Sequence, residues 1–324
     1  GSHTWENGYQ DGIWTYPLNA VWAGLRAAVT QALDALPGVQ VRAMGFSGMM
    51  HGYLAFDGEG RLLVPFRTWR NTFTARASQE LTALFGFPIP QRWSIAHLYH
   101  AMLQNELHVR SVRRLSTLAG YVHETLTGRR AVGVGEASGM FPIDAQTLDY
   151  DQRMLSLFDE RAQAMGMPWR IRELLPEALP AGACAGYLTP DGAHLLDPAG
   201  RLQAGIPLAP PEGDAGTGMA ATNAMRPRTG NVSAGTSIFS MVVLERPLSR
   251  VYPQLDVVAT PDGSPVAMVH CNNCTSDINA WAGVFGEFAA LAGQPLLTDV
   301  LYTRLFSQSL QGEPDCGGVT VINY

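Results

Sequence analysis

The chain has 324 residues, of which 46% are hydrophobic and 15% charged, and its formal net charge is −6. This balance is typical of a globular protein long enough for two domains, and it excludes an intrinsically disordered chain. The acidic net charge argues against a nucleic-acid-binding surface, and no apolar run is long enough to span a bilayer.

The N-terminal part of the chain predicts a helix, a strand and a hairpin. In residues 17–38 apolar side chains recur at three- and four-residue steps, between a proline and a Pro-Gly stop, which predicts a helix. Residues 39–47 alternate as in a strand, and residues 48–52 break that pattern. Residues 53–66 predict a hairpin around the turn at 57–60.

The middle of the chain is mainly helical by the same criteria. We predict helices over about 75–85 and about 95–114, and a short helix over 120–128 that is closed by a glycine. A further helix is expected over 150–166. The prolines that follow, within 176–190, predict a loop-rich region.

The last third changes character. An apolar run over 204–214 ends in a turn, residues 230–245 predict paired strands, and residues 276–293 predict a strong helix. The change of pattern at 219–228 is the expected domain boundary, which gives one domain over 1–222 and a second over 223–324. Because strands and helices are interleaved, an α/β architecture is favoured.

Asp214 is the first candidate for chemistry. It follows an apolar strand candidate and has Gly213 and Gly216 beside it, and ligands of open α/β folds gather at the carboxyl ends of strands. A carboxylate there can serve as a general base, although an aspartate that bonds its own backbone in a turn is the more frequent case. Glu212, after two prolines, is expected to be a solvated turn residue.

Two glycine-bounded turns are weaker candidates. Gly235, Thr236 and Ser237 offer backbone N–H groups and hydroxyls that can bind an anion, although a plain hairpin turn has the same composition. His51, in the turn over 48–52, can donate to a ligand hydroxyl, although a lone histidine is more often structural. Tyr121 lies on the short helix over 120–128, where packing is its more frequent role.

The chain lacks lysine, since all 22 basic residues are arginine. This excludes a Walker A loop, the strand lysine of protein kinases and a pyridoxal Schiff base. Phosphate chemistry therefore has to use backbone N–H groups, hydroxyls, arginine or a metal ion. Cys271 and Cys274 have the spacing of a redox or zinc half-site, but no second pair of ligands completes it. The expected compartment is the reducing cytosol.

The order of these segments resembles the FGGY family of carbohydrate kinases, and xylulose kinases most of all. Residues 48–52 match the family's G-Q-M-H-G-like turn, and residues 120–128 resemble its D-Y-L-x-x-x-L-T-G helix, with Gly120 in place of aspartate. Residues 135–144 look like its D-A-A-G-T-like segment. Its G-G-D-x-x-x-G turn is similar to 213–218, and its S-x-G-T-S turn to 233–237. The five matches cover nearly the whole chain in the family's order.

The resemblance implies a two-domain actin-like, ribonuclease-H-like fold with an inter-domain cleft, and transfer of the γ-phosphoryl group of ATP to a sugar hydroxyl with Mg²⁺. Asp214 would be the general base. Met50 and His51, and also Tyr121, would contact the sugar. Gly235, Thr236 and Ser237 would bind the nucleotide. Sugar and ATP are the partners it implies, and a homodimer is compatible with it.

The chain also departs from the family pattern. Neither the family's opening G-I-D-x-G-T-T hairpin nor its late glycine-rich adenosine segment is in the sequence, so we expect these 324 residues alone to bind ATP poorly. Ala215 stands where the family often has an amide. An actin-like ATPase, a sugar-binding module and an inactive fragment therefore stay open as alternatives to a kinase.

Overall fold

The computed structural model describes residues 1–6, 8–235, 238–271 and 274–320. Its helices are α1 (Leu18–Ala35), α2 (Ala75–Phe85), α3 (Ser94–Leu103), α4 (Leu118–Thr127), α5 (Val134–Ser138), α6 (Gln152–Ala164), α7 (Ile171–Leu174), α8 (Pro190–Leu196), α9 (Asp214–Ala221), α10 (Thr275–Leu291) and α11 (Thr298–Ser309). Within the described ranges, no helix combines the length and the apolar character needed to cross a bilayer.

The strands are short, and most of them pair in twos. They are β1 (Gly8–Gln10), β2 (Ile13–Thr15), β3 (Ser47–Gly48), β4 (Leu54–Phe56), β5 (Arg114–Ser116), β6 (Ala131–Gly133), β7 (Ile143–Asp144), β8 (Asp149–Tyr150), β9 (Glu177–Leu179), β10 (Gly186–Tyr187), β11 (Pro207–Leu208), β12 (Glu212–Gly213), β13 (Gly230–Ala234), β14 (Ile238–Val243), β15 (Asp256–Ala259) and β16 (Pro265–Cys271). One four-stranded sheet has the order β13-β14-β16-β15.

The predicted helices with clear start and stop signals are confirmed. In α4 the side chain of Thr117 accepts the N–H of Gly120, and Gly128 ends the helix in a left-handed conformation with φ 73°. In α6 the side chain of Asp151 accepts the N–H of Met154 at 2.8 Å. Caps of this kind satisfy backbone groups that a helix end leaves unpaired, which is why the sequence reveals these boundaries.

Two predicted elements are wrong in extent. The expected strand over 39–47 is reduced to β3 and an isolated bridge at Met44, because the segment bonds residues 207–212 only at scattered positions. The expected helix over 95–114 ends at Leu103. Asn105 then turns the backbone to φ 53°, and Arg114 already belongs to β5, which pairs with β4.

The chain divides into two compact units. The first comprises Gly1–Asn231 and Met241–Met268, and the second comprises Val232–Ser240 and Val269–Tyr324. In the first unit a hydrophobic cluster joins α1, β4, α4 and α8, with Leu54, Leu126 and Leu196 fully buried. In the second unit α10 packs on α11, and Ala282 and Leu301 are its buried contacts.

Gly52 is required by both backbone and packing. Its φ is +100°, and a β-carbon there would lie 2.8 Å from Cε2 of Phe66 and 3.1 Å from the carbonyl oxygen of Arg67. We expect Gly52→Ala to lower the free energy of unfolding by about 1–3 kcal/mol for the backbone alone, and by more through the overlap.

Gly12→Ala is the matched control for that change. Gly12 also has a positive φ, +80°, but nothing lies within 4 Å of the position of an added β-carbon. Chemical denaturation of both variants separates the two costs. An equal loss of stability in both would contradict the steric part of the expectation.

Candidate functional site

Two parallel strands bring the segments with Met50 and Asp214 together. β3 and β12 pair in register, with Glu212 opposite Ser47 and Gly213 opposite Gly48. The turn with Met50 follows the first strand, and α9 follows the second. The hydroxyls of Ser47 and Thr217 lie 2.7 Å apart, which adds a link between the two segments. The carboxyl ends of two parallel strands therefore meet here, which is where ligands of open α/β folds gather.

Asp214 is the first residue of α9. Its Oδ1 accepts the N–H of Ala215 at 2.9 Å and a longer bond from the N–H of Met50 at 3.4 Å. The residue is exposed to solvent, yet the protein around its carboxyl group desolvates it enough to raise its pKa, while the backbone N–H groups oppose that shift. Asp214 is thus an accessible carboxylate of increased basicity.

Met50 lies beside Asp214, and both Met50 and the following residue, His51, are buried. The side chain of Met50 fills the space above Gly213 and Gly139, at both of which a β-carbon would lie 2.9 Å from its atoms. His51 has φ 73°, and its Nδ1 lies 3.3 Å from the carbonyl oxygen of Gly139. That contact is a hydrogen bond when Nδ1 carries the proton, so the carbonyl selects this tautomer.

Trp93 packs against the ring of His51. The indole ring of Trp93 is stacked on the imidazole of His51, with ring centroids 6.3 Å apart and an interplanar angle of 18°. Trp93 is fully buried and caps the start of α3. No sequence pattern connects Trp93 with the site, since its contact with His51 joins segments more than 40 positions apart in the chain.

Tyr121 is engaged elsewhere. Its ring is stacked on Phe56 with centroids 5.7 Å apart, and its hydroxyl accepts the indole N–H of Trp22 at 3.1 Å. It packs against the core cluster of α1, β4 and α4. Its sugar contact stays a prediction.

Gly235 belongs to the second unit and is exposed, with its carbonyl oxygen accepting the N–H of Thr275, the first residue of α10, at 3.1 Å. Thr236 and Ser237 lie outside the described residues. The predicted nucleotide contacts of all three therefore stay predictions.

Two buried glutamates are what sequence reasoning missed. Glu212 is 7% exposed rather than solvated, so that expectation is wrong, and Glu136 is fully buried. Oε2 of Glu212 accepts the backbone N–H of Glu136 at 2.9 Å. The available signal was indirect: Gly133 and Gly135 leave the space that the Glu212 carboxylate occupies.

The described residues do not include a cluster of side chains that could bind a metal ion. Among those residues no set of three or more histidine, cysteine or acidic side chains could hold a metal ion. The described carboxyls thus do not form a metal site by themselves, and we assign no step to a metal ion. Cys271 ends β16, Cys274 precedes α10, and both thiols are free.

Family models match almost the entire chain. The model for the N-terminal domain of the FGGY family of carbohydrate kinases matches residues 9–219, and that for the family's C-terminal domain matches residues 230–324. The gap between the two matches, residues 220–229, overlaps the region 219–228 where the sequence changes character.

Individual relatives are distant and longer. A xylulose kinase of Haemophilus influenzae is 23% identical over 286 residues, which are 84% of this chain and 56% of that protein. The chain spans about half the length of the relatives it matches.

Among solved structures, the xylulose kinase of Rhodospirillum rubrum superposes with a TM-score of 0.73 at 17% identity, covering 95% of this chain and 61% of that one. The glycerol kinase of Plasmodium falciparum, solved with ADP, has a TM-score of 0.67 at 13% identity, covering 85% of this chain and 56% of that one. These likenesses confirm the predicted actin-like, ribonuclease-H-like fold class.

Proposed function

Because the chain belongs to the FGGY family of carbohydrate kinases, we propose that the complete protein phosphorylates a ketopentose or a related sugar or polyol with ATP, as a xylulose kinase does. The observation that carries the proposal is the position of Asp214, an accessible carboxylate of raised pKa that accepts the backbone N–H of Met50, the residue before buried His51. The same division into domains, 1–222 and 223–324, is part of the proposal.

Asp214 is the general base in this proposal. Its carboxylate takes the proton of the acceptor hydroxyl while that oxygen forms a bond to the γ-phosphorus of ATP. The bond between that phosphorus and the oxygen bridging to the β-phosphate breaks, and ADP leaves. The proton then passes from Asp214 to solvent. Such a transfer needs positioning and charge stabilisation more than covalent help, so the lack of lysine is no obstacle.

The raised pKa suits this role. A carboxylate whose pKa is raised toward the working pH accepts a proton more readily and still stays ionised near neutrality. The N–H groups of Met50 and Ala215 oppose the rise of the pKa, because they favour the charged form.

His51 and Met50 form the acceptor side of the site. When the proton is on Nδ1 of His51, where the carbonyl oxygen of Gly139 accepts it, Nε2 is an acceptor. An acceptor at this position suits a sugar hydroxyl, which donates. Gly235, Thr236 and Ser237 are proposed to meet the phosphates. Family membership supports ATP as donor together with a metal ion, for which Mg²⁺ is the proposal.

The test of the function is acceptor-dependent release of ADP from the complete protein. We expect D-xylulose, L-ribulose, L-xylulose or glycerol to raise ADP release above the rate with ATP alone, in step with formation of a sugar phosphate. An actin-like ATPase would release ADP at the same rate without an acceptor. A sugar-binding module would bind an acceptor and release none. Either result contradicts the proposal.

His51→Asn tests the acceptor side separately. Asparagine tolerates the left-handed conformation at this position, so the change removes the imidazole with little backbone cost. We expect KM for the acceptor to rise about tenfold, the value of one lost hydrogen bond, with KM for ATP unchanged. His194→Asn, at an exposed position on α8, is the control. An unchanged acceptor KM in His51→Asn would remove this assignment.

A further inference from the structure

Glu212 has a dedicated pocket two residues before the candidate base. Its carboxyl group lies against bare backbone: a β-carbon at Gly133 would be 2.0 Å from Oε1, and one at Gly135 would be 2.6 Å from Oε2. The same Oε2 accepts the N–H of Glu136 at 2.9 Å. The start of α5 and the strand that leads into Asp214 are thus joined through one side chain.

Glu136 brings a second carboxyl group to the same place. It is fully buried, and neither of its carboxyl oxygens makes a well-aligned hydrogen bond, although the Thr117 hydroxyl lies near enough to favour its charged form. Its Oε2 lies 2.8 Å from where a β-carbon of Gly213 would stand, directly before Asp214. A buried polar group without a partner is costly, and for a carboxyl group the cost is least in the protonated form.

The surroundings decide which acid of the pair ionises first. Burial raises the pKa of Glu136 well above its usual range, and the charges of Glu212 and Asp214 raise it further, opposed by the Thr117 hydroxyl. Burial raises the pKa of Glu212 to about 7, against the backbone N–H groups of Glu136, Gly135 and Gly213. Glu212 therefore gives up its proton first. Two further titratable groups face α5, the phenol of Tyr150 from β8 and the imidazole of His51 on Gly139.

We infer that Glu212 is a positioning residue for phosphoryl transfer: with Glu136 it forms a buried acid pair, seated on Gly133, Gly135 and Gly213, that holds the Asp214 segment and stores one proton beside the reacting groups. The inference rests on the proposed function. Glu212 acts through the Asp214 segment and does not itself touch the substrate.

The pair has a consequence above neutral pH. When Glu212 loses its proton to solvent, a buried negative charge appears beside Glu136, whose own carboxyl group interacts with the charges of both Glu212 and Asp214. Like charges in a poorly solvated region repel strongly. Turnover should therefore fall as the pH rises through about 7, the pKa of Glu212.

The same titration acts on stability. The pKa of Glu212 is higher in the folded chain than its ordinary 4.5, so the folded state binds more protons between pH 4.5 and about 7. Stability is then greatest below that window and is lost as the pH rises through it. The unfolding constant increases by up to about tenfold per pH unit within the window.

Glu212→Gln in the complete protein is the test, because glutamine keeps the shape and the acceptor oxygen but cannot titrate. We expect turnover of the wild type to fall about threefold or more between pH 6.5 and 8.5, and that of the variant to stay level. Unfolding of the variant should also lose the pH dependence described above. Glu59→Gln, at an exposed carboxylate in the turn after β4, should behave as the wild type.

A uniform loss of turnover at every pH in Glu212→Gln would indicate a merely structural role and overturn the inference, as would an unchanged pH profile. If Glu212→Gln does not fold, Gly133→Ala replaces it, because its β-carbon would displace the carboxyl group. We expect folded Gly133→Ala to have at least tenfold lower turnover and to lose the fall of turnover between pH 6.5 and 8.5. Turnover within a few-fold of the wild type, or the wild-type pH profile, overturns the inference.

A wild-type protein that phosphorylates no acceptor would refute the proposed function. The unfolding measurements would still test whether Glu212 holds a proton in the folded protein. If the unfolding of Glu212→Gln depends on pH as that of the wild type does, the inferred acid pair is wrong. The two failures are therefore distinguishable.

Discussion

Replacing Asp214 with asparagine in the complete protein is expected to lower turnover by about two to four orders of magnitude, the range over which positioned general bases act. Asparagine keeps the size of the side chain and an oxygen for the N–H of Ala215, which the carboxylate accepts at 2.9 Å. It cannot take the proton of an acceptor hydroxyl. Binding of ATP and stability should change little, since Asp214 is exposed to solvent.

The matched control is Asp191→Asn. Asp191 is also an exposed aspartate in the first turn of a helix, α8, and should tolerate the change without loss of turnover. Initial rates of sugar-phosphate formation for both variants decide the matter. Turnover of Asp214→Asn within a few-fold of the wild type would remove Asp214 as the base.

Removing the side chain of Trp93 should have the largest effect on stability. Trp93 is fully buried, and its ring contacts Phe87 as well as His51. Truncation of a buried aromatic residue to alanine typically costs about 3–5 kcal/mol of unfolding free energy, through lost burial and the cavity left behind. Because the indole also supports the imidazole of His51, we expect KM for the acceptor to rise in the folded fraction of Trp93→Ala.

Phe158→Ala separates the two effects of that variant. Phe158 is fully buried among Tyr99 and Phe141, and none of its ring contacts involves His51. Denaturant unfolding should show a comparable loss of stability in both variants, while the acceptor KM should change only in Trp93→Ala. The same change of KM in Phe158→Ala would show that the effect comes from general loosening.

The sequence was most informative where single residues determine local geometry. Gly128 and the cap residues Thr117 and Asp151 define α4 and α6 without help from the rest of the chain. Residues 39–47 have the alternation of a strand, but a strand also needs a continuous partner. That partner is not encoded locally, so this prediction was wrong in extent.

The candidate site divides in the same way. Asp214 was singled out because it follows a strand candidate in a glycine-rich turn, and Met50 because of the family resemblance; the parallel pairing of β3 and β12 brings the two into contact. The surrounding protein raises the pKa of Asp214 by desolvation, an effect that depends on the fold. Glu212 was misjudged, because the glycines that make room for it lie near position 134, and only the fold brings the two together.

The hydrogen-bonded pair of β3 and β12 has a consequence for how this scaffold can change. The turn proposed to contact the acceptor follows β3, and the helix start with the proposed base follows β12. The two loops are nevertheless linked, because the N–H of Met50 donates to Asp214 and the side chain of Met50 packs over Gly213. A substitution in the first loop that moves the backbone of Met50 therefore reaches the base as well, so an engineered change of acceptor preference has to keep the backbone of residues 50–52 unchanged, Gly52 included.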